Sequence, residues 1–166
     1  MTRIFKLEAM VIAKISTFAA LYAVLTLALH PISYLVIQLR LSDALIPLSI
    51  VYGPEVAIGV CLGCVVANLF APYGPNILDI TLGSLANLIA SYTAFRLRRR
   101  ATLGCIVAAV IVGLIVGGYL WIITNVPPYV TITSVTISSL IAIGAIGRIL
   151  VGIITKVLEE HGLRLR

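Results

Sequence analysis

Long apolar segments, separated by short polar or proline-containing breaks, occupy most of the chain. Five such segments are clear, and they cover about residues 11–30, 53–71, 76–95, 103–124 and 131–158. Each is close to the roughly 20 residues that a helix needs to cross the hydrocarbon core of a membrane. Their apolar residues are continuous and do not alternate with period two, which disfavours a transmembrane β-barrel. The pattern predicts membrane-spanning helices in one domain, residues 1–166.

The stretch 31–52 is less regular, because its apolar part after Asp43 is short and contains Pro47. The basic residues decide whether it crosses the membrane. If residues 43–52 span, all the basic segments lie on one side, and Lys and Arg accumulate on the cytoplasmic side. These segments are 3–6, 96–100 and 156–166. We therefore predict six transmembrane helices with cytoplasmic N and C termini. The short second span must be shielded by protein, since lipid cannot satisfy a broken backbone.

The composition agrees with a multi-pass protein of the cell membrane. Apolar residues make up 61% of the chain and charged residues 11%, against about 45–50% and about 25% in an ordinary soluble domain. Membrane orientation explains the net charge of +6, and we expect no nucleic-acid partner. Cys61, Cys64 and Cys105 lie in apolar segments without the further ligands of a zinc site. We predict no metal site.

Several polar residues fall at one depth of this predicted bundle. Arg40 and Asp43 lie at the outer end of span two, Asn68 near the outer end of span three, and Asp79 one turn inside span four. Trp121 is near the outer end of span five. A charge at the centre of a membrane costs about 2.5–3.5 kcal/mol on insertion scales and is functional by default. The pattern predicts a substrate pocket between helices, open to the outside.

For the charged residues, two interpretations are open. Asp79 contacts the ligand, or it forms a structural pair with Arg40. Arg40 and Asp43 are three residues apart, so they neutralise each other if the segment is helical; otherwise Asp43 accepts a hydrogen bond from the ligand.

The uncharged candidates carry similar alternatives. Asn68 either contacts the ligand, or it caps the C-terminus of its helix or hydrogen-bonds to another helix. For Asn87 in mid-span, a helix–helix hydrogen bond is preferred. Trp121 either stacks on a flat ligand or anchors the helix at the interface. The same choice applies to Tyr34 in the outer segment.

Three segments of the chain read "RLSDALIPL", "GPEVAIGVCLGCVVANLF" and "GPNILDITLGSLANLIASYTAFRL". They resemble the QueT family, whose members are substrate-binding (S) components of energy-coupling factor (ECF) transporters. The chain departs from the family pattern in carrying Asp43 where the family usually has Glu, and Asn87 in place of a small or hydroxyl residue. The resemblance implies an all-α, six-helix S-component fold without catalytic chemistry or a cofactor. It also implies a queuosine precursor as substrate, a transmembrane coupling subunit and a cytoplasmic pair of ATPases.

Span one carries Ala19, Ala20 and Ala23, small residues that give a helix a flat face. By resemblance, the Ala19–Ala23 face docks on the coupling subunit. The alternative is packing within this chain.

The expected function is capture of a queuosine precursor, a deazaguanine base such as queuine or its aminomethyl precursor. The chain has no G-x-x-x-x-G-K-[ST] motif, so ATP must be used by partners. An S component for another vitamin-like heterocycle and a self-sufficient proton-coupled carrier with Asp79 as relay are the alternatives. An enzyme is not expected, because no nucleophile–base pair or metal-ligand cluster is recognisable.

Overall fold

The computed structural model describes residues 2–29, 33, 39–71 and 74–162, and these residues contain helices but no strand. They form six helices, which confirms the predicted all-α class. Tyr34 lies outside the described residues. The helices are α1 (Thr2–Ala28), α2 (Leu41–Tyr52), α3 (Glu55–Leu69), α4 (residues 79–96), α5 (Ala101–Thr124) and α6 (Pro128–Glu160).

Three segments of the described chain are long and apolar enough to cross a membrane: Leu7–Ala28, Arg98–Thr124 and Pro128–Glu160. Helices α2 and α3 are shorter apolar helices. The protein is therefore an all-α membrane protein. The crossing of the shorter helices and the side on which each terminus lies stay predictions.

Helix α2 is short, irregular and enclosed by protein. It begins as a 3-10 helix, Leu41–Leu48, and continues as one α-helical turn, Ser49–Tyr52. Residues 42–49 are all buried, which confirms that this segment is shielded from lipid. The Ser91 hydroxyl donates to the Ile46 carbonyl at 2.9 Å. The same carbonyl also accepts from the Ser49 backbone N–H, so side chains add hydrogen bonds to those of the irregular helix.

Glycines bring pairs of long helices into backbone contact. A Cβ atom on Gly63 would lie 2.5 Å from the Ala19 carbonyl oxygen, and one on Gly59 would lie 2.8 Å from the Ile15 carbonyl oxygen. Glycine is therefore required where α3 crosses α1. Gly117 plays the same role between α5 and α6, against Ile132. Gly59 with Gly63, and Gly113 with Gly117, have the GxxxG spacing that is typical of closely packed helices.

Two π-helical segments interrupt α4 and α6. The first, Asp79–Gly83, opens α4, and the second, Leu140–Gly147, lies in the middle of α6. Such segments are rare in proteins overall, but those that occur are often at functional sites. At the end of the second, a Cβ on Gly147 would lie 2.8 Å from the Pro47 ring. This lack of a side chain lets α2 lie against α6.

Candidate binding site

A buried ion pair lies at the centre of the candidate site. The Arg40 Nη2 atom is 3.3 Å from Asp79 Oδ2 and 3.4 Å from Asp79 Oδ1. Arg40 is 5% exposed and Asp79 is fully buried. The Tyr119 hydroxyl donates to Asp79 Oδ1 at 2.6 Å. Two charges this deep are tolerated only when each is paired and further hydrogen bonds satisfy the remaining atoms.

Helix α3 contributes two further side chains to this cluster, those of Asn68 and Cys64. The Asn68 amide nitrogen donates to the Asp79 carbonyl oxygen at 2.7 Å and lies 3.4 Å from the Cys64 sulfur. Arg40 Nη1 lies 3.6 Å from the same sulfur. A Cβ on Gly83 would lie 2.8 Å from the Tyr119 hydroxyl and 3.2 Å from Asp79 Oδ1. The glycine therefore leaves the space in which the carboxylate and the hydroxyl meet.

Asp43 belongs to an adjoining chain of hydrogen bonds. The Tyr22 hydroxyl donates to Asp43 Oδ1 at 2.6 Å and accepts from the Asn87 amide nitrogen at 2.8 Å. Next to it, the Thr26 and Ser42 hydroxyls are 2.7 Å apart. This chain links α1, α2 and α4. The expected helix–helix hydrogen bond of Asn87 is thus present.

Two acceptor atoms in the cluster are not used by the described protein. The Asn68 side-chain oxygen is buried and has no hydrogen-bond partner among the described residues. Within the same part of the chain, Tyr22 is the donor to the Asp43 carboxylate through Oδ1, and no donor reaches Oδ2. For the buried Asn68 oxygen, the lack of a donor costs about 1–3 kcal/mol. Both atoms are positions at which a ligand N–H group would be favourable.

The structure brings four of the predicted substrate-site residues together: Arg40, Asp43, Asn68 and Asp79. It places Trp121 elsewhere. The Trp121 side chain is 42% exposed and borders a surface depression with Asn125 and Pro127. This position favours the interfacial anchor over stacking on a ligand in the cluster.

The alanines of α1 do not all face the same way. Ala23 is 8% exposed, and the Ala19 backbone lies against Gly63 of α3, so this part of the face packs within the chain. Ala20 is exposed. The role of these alanines in docking stays a prediction, and Ala20 is the one of the three that is open to a partner helix.

Sequence reasoning missed Tyr22, Tyr119 and Cys64 as members of the cluster. Each lies in an apolar segment, where a tyrosine or cysteine is ordinary. A partial signal existed for Tyr119, since it lies within two residues of Trp121 at the depth already assigned to the polar residues.

The fold and the cluster define a class: an all-α membrane protein that holds opposite charges and side-chain amides between its helices, as transporters do. A family model described as QueT transporter matches residues 12–156, which is most of the chain. The chain therefore belongs to the QueT transporter family, a family of ECF S components, and it is a transport protein, not an enzyme. Comparisons with curated proteins and with solved structures found no match.

Proposed function

We propose that this S component captures a queuosine precursor, queuine or its aminomethyl precursor, from the outer side of the cell membrane. The observation that carries the proposal is the buried Asn68 side-chain oxygen, which has no partner among the described residues and lies in one polar cluster with the Asp43 carboxylate. A deazaguanine presents a ring N–H and an exocyclic amine next to a carbonyl oxygen. Carboxylate and amide oxygens match the two donors.

The rest of the cluster suits the remaining parts of such a ligand. A guanidinium is a good donor to a carbonyl oxygen. Arg40 is three residues from Asp43 in the sequence, and its Nη2 atom is 3.3 Å from Asp79 Oδ2. The aminomethyl precursor also carries a positive charge, for which a second carboxylate is favourable. Asp79, already held by Arg40 and Tyr119, fixes the wall against which the ligand binds.

Carboxylate-to-amide substitution at Asp43 tests this binding mode. In Asp43→Asn, the new amide oxygen can still accept from Tyr22, while the amide nitrogen replaces an acceptor with a donor. Loss of a hydrogen bond to a charged group is worth about 1.5–3 kcal/mol, or roughly 10- to 150-fold in affinity. Calorimetric titration of the purified protein with queuine and with its aminomethyl precursor measures this. Glu8→Gln, the same change at an exposed position, is the control, and wild-type affinity in Asp43→Asn contradicts the proposal.

Transport in this proposal depends on partners. The S component reorients on a transmembrane coupling subunit, and a cytoplasmic pair of ATPases supplies the energy, since the chain has no phosphate-binding loop of its own. Uptake by cells that lack the coupling subunit should be abolished. Uptake that survives its deletion supports a self-sufficient proton-coupled carrier.

The exposed side of α1 is the proposed contact with the coupling subunit. Ala20→Leu enlarges an exposed residue, so isolated protein should bind ligand normally but copurify poorly with the coupling subunit. Ala23→Leu enlarges a buried residue and should destabilise the isolated protein, because overpacking costs about 1–3 kcal/mol. Pull-down and thermal unfolding in detergent separate the two effects. Normal copurification of Ala20→Leu would rule out this contact.

A further inference from the structure

A second, basic cavity lies far along the chain from the polar cluster, between the beginning of α5 and the end of α6. Its volume is about 420 Å³, and it is open to the surface. Four cationic side chains and one carboxylate, that of Glu159, border the cavity. The cations are Arg98, Arg99, Arg148 and Lys156. By the distribution of basic residues, this end of the bundle is the predicted cytoplasmic end.

The three arginines of this cavity lack acidic partners within the described residues. Arg98 lies over the Phe95 ring, with its guanidinium carbon 4.7 Å from the ring centroid. Arg148 Nε donates to the Thr102 hydroxyl at 3.1 Å. Glu55 lies 4.0 Å from Lys14 and is not a partner of these arginines. Lys156 is near a carboxylate, since its Nζ lies 4.0 Å from Glu160 Oε1. The three arginines outnumber Glu159, so the cavity has a net positive charge.

Glycine and helix packing shape the cavity for an anionic group. A Cβ on Gly152 would lie 3.3 Å from Arg148 Nη1, so the guanidinium lies over a residue without a side chain. Nε is held by Thr102, and within the described residues the two Nη atoms make no hydrogen bond, so they form a planar pair of donors. Such a pair matches the oxygens of a phosphate group.

The two helices that border the cavity also carry exposed apolar side chains. Ile149 and Ile153 of α6 are 61% and 54% exposed, and Leu103 and Ile106 of α5 are 42% and 43% exposed. In a membrane these side chains contact acyl chains. Basic pockets between transmembrane helices at this level bind phospholipid headgroups.

We propose that the cavity between α5 and α6 binds a phosphate group through Arg99 and Arg148, and that its source is an anionic phospholipid. The headgroup phosphate occupies the basic cavity, and the acyl chains lie along the exposed isoleucines. This site is distinct from the polar cluster, so the proposal does not depend on the substrate.

Lipid retention tests the proposal. The full chain is reconstituted in nanodiscs with equal amounts of phosphatidylglycerol and phosphatidylcholine, transferred to detergent and analysed by native mass spectrometry. Wild-type protein should retain phosphatidylglycerol in preference to phosphatidylcholine. Near a membrane surface each basic residue contributes enough to change binding about fivefold, so Arg99→Gln/Arg148→Gln should lower retention roughly 30-fold.

A matched double variant controls for charge. Arg96→Gln/Arg100→Gln removes the same charge from exposed residues that do not border the cavity, and it should retain the lipid. Equal losses in both double variants would mean a non-specific surface effect and would overturn the proposal. The proposal would also be overturned if wild-type protein retained both lipids equally and inorganic phosphate had no effect on its thermal unfolding.

A second measurement identifies the source of the phosphate group. Inorganic phosphate is added, at constant ionic strength, to protein in phosphatidylcholine nanodiscs, and thermal unfolding is followed. No stabilisation is expected if a lipid is the ligand; stabilisation that Arg99→Gln/Arg148→Gln abolishes would support a free phosphate. If that variant keeps its phosphatidylglycerol but no longer copurifies with a coupling subunit, the cavity is a protein contact and the proposal fails.

Discussion

Removing one member of the Arg40–Asp79 ion pair should destabilise the protein more than removing both. The two side chains are 6% and 0% exposed and lie 3.3 Å apart, so each charge depends on the other. Asp79→Asn leaves a buried guanidinium without its carboxylate, and Arg40→Gln leaves a buried carboxylate without its guanidinium. Each single substitution should cost about 3–5 kcal/mol. For a chain of this size, that lowers the melting temperature by roughly 6–20 °C.

The double variant Arg40→Gln/Asp79→Asn carries two neutral amides in the same space. It should unfold at a higher temperature than either single variant. The coupling free energy between the two sites should therefore exceed the larger of the two single losses, which is at least about 3 kcal/mol. Thermal unfolding of purified protein in one detergent, with Glu8→Gln as the exposed control, measures all four combinations. Additive losses from the two single substitutions would refute the view that these charges stabilise one another.

Two further predictions concern packing and orientation. Gly63→Ala should force α1 and α3 apart and cost about 1–3 kcal/mol. Gly118→Ala, whose Cβ meets no atom within 4 Å, should raise stability by about 0.4–1 kcal/mol, because alanine favours the helix; equal stability of both variants would contradict the close helix contact. In intact cells, Gly74→Cys should react with an impermeant thiol reagent and Arg98→Cys should not, because positive residues remain cytoplasmic; the reverse pattern would overturn the predicted orientation.

Much of the fold follows from one-dimensional features of the sequence. Apolar segments of the length of a membrane span located α5 and α6, and their predicted limits of 103–124 and 131–158 lie within three residues of the observed helices Ala101–Thr124 and Pro128–Glu160. The shielding of α2 also followed, because a segment broken by Pro47 cannot face lipid. These inferences need only position along the chain, which sets depth in the membrane.

The partners within the polar cluster could not be predicted in the same way. Depth does not specify the side of a helix on which a residue lies, and a helix turns by about 100° per residue. Tyr119 and Trp121 are at nearly the same depth but face different ways: Tyr119 donates to Asp79, and Trp121 is exposed. Because α5 is apolar on every side, its sequence contains no polar stripe that would reveal this rotation.

The same limitation explains the choice of partner for Arg40. From the sequence, Arg40 could pair with Asp43, three residues away, or with Asp79, which is distant in the sequence. The described structure contains the pair with Asp79, while Tyr22 donates to Asp43. Arg40 precedes the 3-10 helix and has an extended backbone (φ −82°, ψ 98°). The helical i, i+3 placement that would bring Arg40 and Asp43 side by side therefore does not apply. Tertiary packing of α4 against α2 decides the outcome.

The most direct test of the proposed binding mode combines a change in the protein with a change in the ligand. Affinities of wild-type protein and Asp43→Asn are measured by calorimetry for the deazaguanine base and for an analogue that lacks the exocyclic amine. If Asp43 accepts a hydrogen bond from that amine, wild-type protein should prefer the complete base by roughly 10-fold or more, and Asp43→Asn should lose most of that preference. An unchanged preference in Asp43→Asn would contradict the assignment of Asp43 as the group that recognises the base.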